Sequence, residues 1–398
     1  MILTLHENIQ FIYELVLGQM ELEAFGVKYQ VENGLRSFKV TSNLDVDKLA
    51  KRCAYFMEIN GKLSDYHFIQ QFNQTRSINQ YLTHWFYPYK GKFHPQMIRA
   101  LCNIIGLEAG DLLLDPFVGS GTAALEAQLL GINFIGVDIS PLCVLQSKVK
   151  VNSIYVLDKI VELRNNVYPI GRNIKNNLYN KLPFIGITYE DIEEPAVRSF
   201  YQLAEMIAYS DSKRRHRDFT KSFYSNVDKM IASVKDYLDM LNKLNINLGE
   251  IKIRLEDTRQ LSLSDESVDG IITSPPYSIA LNYVKNDEHA LAAMGNDLET
   301  IEDKFIGVRG RGFERFELYN KDMEQCFKHM YRVLKPNKYC VVVIGNVTYQ
   351  GEEVKTSEWA KDSCKKAGFE LIKEVDKIIF GLYNVIKKEY IQIYRKPG

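Results

Sequence analysis

"LLLDPFVGSGTAALEA", Leu112 to Ala127, decides the fold. Three successive leucines read as a short buried strand that ends at Asp115 and Pro116. Gly119 and Gly121 then allow a turn in which the backbone can approach a ligand closely. The helical stretch "AALEAQLLG" follows, and the first N–H groups of a helix have no partner within it. "INFIGVDIS", Ile132 to Ser140, is a second buried strand, ending on Asp138. Strand, helix and strand in this order imply a parallel sheet, and such sheets bind ligands beyond the carboxyl ends of their strands. Neither GxGxxG nor GK[ST] is present, so the turn is not read as a pyrophosphate site. Asp115 suits a cationic amine. Asp138 lies 23 residues further on, close to the roughly 20-residue offset at which an acid accepts ribose hydroxyls. A nucleoside bearing an amino group satisfies both acids.

A second loop stands out in "IITSPPYSIALNY", Ile271 to Tyr283. Two adjacent prolines remove two donors and fix φ twice, so the stretch is a rigid loop at a strand's end. "DPFVGSGT" together with "TSPPY" resembles the exocyclic-amino methyltransferases of nucleic acids, the N4-cytosine and N6-adenine enzymes. The resemblance covers about residues 81 to 150 and 251 to 398. It implies an α/β, class I (Rossmann-like) methyltransferase fold: a mostly parallel seven-stranded sheet with a carboxyl-terminal antiparallel hairpin. A helical insert and a small α+β amino-terminal domain accompany it. The cofactor implied is S-adenosyl-L-methionine. Asp115, Pro116, Phe117, Gly119, Gly121 and Thr122 would cradle its methionine portion, Asp138 its ribose, and Asp257 in "LEDTRQL" its adenine amino group. "KGKFHP" resembles the segment that precedes the first loop in this family, so Lys92 or Phe93 would approach the methionine carboxylate.

An exocyclic amino nitrogen is a poor nucleophile because its lone pair is delocalised into the ring. Two acceptors aimed at its hydrogens return the lone pair to it; Ser274 by its hydroxyl and Pro275 by its carbonyl are the candidates, held rigid by Pro276. Tyr277 supplies a flat face for a base flipped out of its helix. Serine at the first loop position resembles the N4-cytosine group. The Pro-Cys nucleophile of C5-cytosine enzymes has no counterpart, since "SPLC" places Leu142 between Pro141 and Cys143.

Around these motifs the chain divides into residues 1–80, a small α+β block; 81–150 and 251–398, the two halves of the methyltransferase domain; and 151–250, a helical insert for target recognition. In the first block, Leu49, Cys53, Phe56 and Met57 recur at helical spacing. The insert holds the Asn-rich joint "GRNIKNNLYNKLP" and the basic run "KRRHR", whose Lys213, Arg214, Arg215 and Arg217 are candidate phosphate contacts. Arg309 and Arg311 in "VRGRGFERF" are two more. A charge run is equally well explained as a solvated face.

With 50 basic and 50 acidic residues among 398, net charge draws the chain toward neither nucleic acid nor membrane, so any polyanion site is a local patch. Six scattered cysteines without a CxxC pair fit neither a disulfide framework nor a zinc knuckle, and seven histidines lack ligand spacing. No metal is expected, no apolar run reaches the roughly 18 residues of a membrane span, and a cytoplasmic enzyme is the expectation. The position of the insert between the two loops resembles DNA enzymes. The amino-terminal block is faintly similar to the front domain of the tRNA guanosine N2-methyltransferases. DNA is therefore favoured as partner, with RNA, N6-adenine methylation, or a binding protein that has lost chemistry as alternatives.

Overall fold

The computed structural model describes residues 1–75, 77–172, 186–277, 282–378 and 386–398. The Asn-rich joint from Asn173 onward and Ser278 to Leu281 of the second loop lie outside the described residues.

Two sheets organise the chain. The first is antiparallel, built from β1 (Ile2–Leu5), β2 (Tyr29–Glu32), β3 (Ser37–Val40), β4 (Phe56–Ile59) and β5 (Lys62–Leu63) in the order β2-β3-β1-β4-β5. The helix expected across Leu49 to Met57 ends early: it spans Val46–Arg52, and Phe56 and Met57 belong to β4. Cys53 already has extended backbone (ψ 137°), and pairing with β1 at Leu3↔Ile59 and Thr4↔Glu58 satisfies the backbone groups that a longer helix would have used.

The second sheet comprises β6 (Leu112–Asp115), β7 (Asn133–Asp138), β8 (Ile251–Leu255), β9 (Val268–Thr273), β10 (Leu334–Tyr349), β12 (Glu370–Ile378) and β13 (Ile386–Arg395), with the short β11 (Glu352–Val354) beside β10. Its order is β12-β13-β10-β9-β6-β7-β8. Strands β6 to β10 pair in parallel, whereas β13 lies antiparallel between β10 and β12. This is the expected methyltransferase sheet with its closing hairpin. Val341, Val342, Val343 and Ile344 in β10 are essentially inaccessible, as a strand covered on both faces requires. Each such side chain contributes about 1.5–3 kcal/mol relative to an exposed one.

The order reverses between β6 and β9, neighbours that carry the two motif loops at their carboxyl ends. Register sets Leu113 opposite Gly270 and Leu114 opposite Ile271, so Asp115 and Thr273 emerge side by side. Helix Pro95–Ile104 opens on a proline, whose missing N–H has no partner to lose in the first turn. Helix Glu314–Val333 buries Met323, Cys326, Phe327 and Met330 and gives way directly to β10 at Leu334. Among the described residues of the insert, the helices Leu157–Leu163, Pro195–Arg215 and Phe219–Leu244 stand between β7 and β8. Among the described residues no helix is long and apolar enough to cross a membrane.

Candidate active site

The glycine loop is tied down from below. Helix Pro141–Asn152 sends up Gln146 and Ser147, whose side chains donate to the Gly119 carbonyl at 3.3 and 3.2 Å, and Lys150, whose ammonium donates to the Ser120 carbonyl. Lys150 is wholly buried, and burial lowers its pKa well below that of an exposed lysine. Gly121 has φ +75°, and a Cβ there would meet Ser147 Oγ at 2.7 Å and Ser147 Cα at 2.9 Å. Its role is therefore packing. Gly119, at φ +49°, faces the Tyr89 ring edge, 3.3 Å from where its Cβ would be, and lines the cavity above.

That cavity lies at the strand ends where the order reverses. Among its walls are Phe93, Phe117, Gly119, Asp138, Asp257, Ser274, Pro276 and Tyr277, so eight of the expected residues converge on one space. Asp138 accepts from Gly119 N at 2.9 Å through one oxygen and from Ser140 N at 2.9 Å through the other. Burial nevertheless raises its pKa to about 6. The carboxylate lines the cavity, where a diol would meet it. Asp257 opens the short helix Thr258–Gln260. Burial pushes its carboxyl up, but the Arg259 hydrogen bonds, as short as 2.6 Å, outweigh that and hold it below the ordinary aspartate value. It is thus both an ion-pair partner and a cavity residue.

Asp115 sits one layer deeper, fully buried and outside the cavity wall. Its Oδ1 accepts from Thr273 Oγ1 at 2.7 Å and from Phe117 N at 3.1 Å. Its Oδ2 is buried without a partner, and burial raises the pKa to about 7. Pro116 accepts from Thr258 through its carbonyl. Thr122 is buried behind the loop, 3.1 Å from Ser120 Oγ. Pro275 is buried, and the cavity wall here comes from its neighbours.

Lys92 departs from expectation. Its ammonium turns away from the cavity and donates to the His84 carbonyl at 2.6 Å, with burial lowering its pKa to about 7. The Phe93 side chain, next in sequence, is the one that reaches the cavity.

In the second loop, Ser274 Oγ donates to Tyr277 Oη at 3.2 Å, and Tyr277 Oη donates to Glu389 Oε1 at 2.8 Å. Tyr277 is 5% exposed, with its ring on the cavity. Sequence reasoning missed Glu389, as well as Tyr89, Tyr283 and Phe305, three further aromatic rings of the wall. Tyr89 and Tyr283 stack at 6.2 Å, and Tyr283 and Phe305 at 5.9 Å. The density of tyrosine in "YPYKGKF" was the one available signal.

The basic run splits. Arg214 donates to the carbonyls of Pro88 and Asn286 and to Asp287 Oδ1 at 3.1 Å, fastening the insert to the segment before the cavity. It is a structural strut and no free phosphate contact. Arg215 and Arg217 share Asp211 at 3.0 and 3.5 Å while staying more than half exposed, and Lys213 is exposed. Arg309 pairs with Asp322, which also holds Arg259 at 3.2 Å, so it too is engaged; Arg311 is exposed. Arg215, Arg217 and Lys229 line a groove with Trp85, Tyr87 and Tyr89, and Tyr89 is common to this groove and the cavity. Among the described residues no group of three His, Cys, Asp or Glu side chains is placed to hold a metal ion.

A family model described as DNA methylase matches residues 41–148, a span that holds the glycine loop and Asp138. The type II methyltransferase M.BsoBI of Geobacillus stearothermophilus is 25% identical over 315 residues, 64% of this chain and 60% of that protein. The type II methyltransferase M.MjaII of Methanocaldococcus jannaschii is 37% identical over 101 residues, 25% of this chain and 19% of that protein. The tRNA (guanine(10)-N2)-dimethyltransferase of Methanothermobacter thermautotrophicus is 40% identical over 70 residues, 18% of this chain and 19% of that protein. The chain thus spans less than two thirds of the length of each of these relatives.

Proposed function

We propose, from its similarity to the S-adenosylmethionine-dependent exocyclic-amino methyltransferases of nucleic acids, that this chain methylates the N4 amino group of cytosine in DNA. The observation that carries the reading is the single cavity in which Gly119, Asp138 and Asp257 face Ser274, Pro276 and Tyr277. One half suits a nucleoside with an amine; the other suits a planar base with an exocyclic amino group.

The residues present fit the cofactor. Asp138 and Asp257 put two carboxylates on the cavity wall, the kind of acceptor that hydroxyl and amino groups satisfy, while Asp115 lies behind that wall. Asp138 would take the ribose hydroxyls and Asp257 the adenine amino group, with Ile139, Phe305 and Ile306 among the apolar walls. When bound, S-adenosylmethionine supplies an electrophilic methyl group. The chain's own contribution is to prepare the nucleophile. Ser274 Oγ, its proton committed to Tyr277, offers lone pairs to one amino hydrogen, and the Pro275 carbonyl is proposed for the other. The nitrogen would then turn toward tetrahedral geometry and regain its lone pair, which is what these residues supply to the transfer. Tyr277, locked by its own hydroxyl, gives the base a fixed stacking face.

The groove shared through Tyr89 is proposed for the flanking strand, with Arg215, Arg217 and Lys229 for phosphates and Trp85 for a neighbouring base. The divisions at residues 80, 150 and 250 belong to the same proposal, the segment 151–250 being the target-recognition insert. RNA stands as the second reading, supported by the 40% identity to a tRNA enzyme. The test offers methyl-labelled S-adenosylmethionine with duplex DNA and total RNA, each digested to nucleosides for mass spectrometry. N4-methyldeoxycytidine is the expected product; label on ribonucleosides alone would move the substrate to RNA, and label on neither would end the enzymatic reading.

A further inference from the structure

The catalytic loop is coupled to the far hairpin of the sheet. Glu389 on β13 is 112 positions from Tyr277, yet accepts its hydroxyl proton at 2.8 Å. Directly across the hairpin, Lys377 on β12 is its register partner and donates to its other oxygen. The chain of donors and acceptors therefore runs Ser274, Tyr277, Glu389, Lys377.

We propose that Glu389 is a positioning residue for methyl transfer, one that sets which way the Ser274 hydroxyl points; this rests on the methyltransferase reading above. A serine hydroxyl has one proton and two lone pairs, and it rotates to suit its neighbours. Left to rotate, it would present its proton to the substrate amino group for part of the time, and donor would then face donor. A carboxylate can only accept. Glu389 thus takes the Tyr277 proton, the Tyr277 oxygen must receive the Ser274 proton, and both lone pairs of Ser274 are left for the amino group. Lys377 fixes the carboxylate in that role, since an ammonium can only donate. Preorganised polarity of this kind costs no reorganisation when the reaction occurs.

The alternative is that Glu389 merely satisfies a buried phenol and holds the loop. A double-mutant cycle separates the two. Glu389→Gln keeps the size but offers an amide that can present either a donor or an acceptor to Tyr277, so the polarity is no longer imposed. Tyr277→Phe keeps the ring and cuts the relay. We expect each to lower kcat about tenfold, the scale of one lost hydrogen bond to a charged group. KM for the cofactor and its calorimetric affinity should be unchanged. The double variant should lose no more than either single one, because both break the same chain.

Additive losses, or a fall in melting temperature with kcat intact, would overturn the proposal. Should Tyr277→Phe fold poorly, Lys377→Met gives a second entry to the cycle: it should lower kcat in the presence of Glu389 and have no further effect beside Glu389→Gln. Failure of the underlying reading looks different, since the unaltered protein would then label no nucleic acid at all.

Discussion

Gly119 and Gly121 sit two residues apart in one loop, and alanine at each should fail in a different way. Both have positive φ, so each alanine carries a backbone cost of about 1–2 kcal/mol. At Gly121 the new Cβ would lie 2.9 Å from Ser147 Cα, and a backbone atom inside a packed helix cannot step aside. Overpacking of this kind adds about 1–3 kcal/mol, for a total of roughly 2–5 kcal/mol. In a chain of this length, where unfolding entropy is about 0.8 kcal/mol/K, that is a melting temperature lower by roughly 2–6 °C. At Gly119 the contact is the Tyr89 ring edge at 3.3 Å, a largely buried side chain but not backbone, so it can give by a few tenths of an ångström and only the backbone cost remains, roughly 1–2 °C. The Tyr89 shift, however, narrows the cavity. Gly119→Ala should therefore weaken S-adenosylmethionine binding about tenfold, near 1.4 kcal/mol. Gly121→Ala, measured well below its melting point, should bind within a few-fold of the unaltered chain. Scanning calorimetry and isothermal titration calorimetry read the two quantities separately. Equal melting losses, or a Gly121→Ala protein as stable as the unaltered one, would refute the division of labour.

Three further outcomes follow from the charged groups. Asp115 and Asp138, ordinarily near 3.8, titrate at about 7 and about 6 in the folded chain. Between pH 4 and 7 the ligand-free fold thus holds more protons than the unfolded chain, and its stability should fall as pH rises; Asp115→Asn should flatten that slope in melting curves. Lys92, lowered from 10.5 to about 7, has the opposite sign: the unfolded chain holds the extra proton between pH 7 and 10.5, so stability from this group rises with pH across that window. Lys92→Met should raise the melting temperature at pH 7, and cofactor affinity should stay within twofold because the ammonium points to His84. Arg217→Glu combined with Lys229→Glu should weaken nucleic-acid binding and reduce its salt dependence. Arg214→Ala should lower the melting temperature with that salt dependence unchanged, and fluorescence anisotropy over a salt series distinguishes them.

What was legible was local. A strand, a glycine turn and an acid two dozen residues later are consecutive features, and the parallel sheet follows from their order. Ser274 to Tyr277 was legible for the same reason: two prolines constrain the backbone wherever they stand. Direction of a long side chain was not. Lys92 and Phe93 are adjacent, and either could have faced the ligand; the choice fell to the His84 carbonyl, which offers Lys92 a buried acceptor. The basic run misled similarly, since consecutive residues on a helix point about 100° apart. Arg214 reaches across the surface to Asp287, while Arg215 on the last turn of the helix and Arg217, beyond the left-handed His216 that ends it, gather round Asp211.

The short stretch from Leu49 to Met57 shows a different limit. Spacings of three and four over nine residues fit a helix, yet β1 offered Phe56 and Ile59 a partner strand, and tertiary pairing overrode local period. Glu389 lies beyond both limits. Nothing near it in sequence is unusual; its place beside Tyr277 comes from β13 running antiparallel between β10 and β12, which carries residue 389 back toward the carboxyl end of β9. The closing hairpin of this sheet therefore has a chemical consequence as well as a structural one. A parallel final strand would have carried Glu389, which stands near the start of β13, to the opposite end of the sheet from Tyr277.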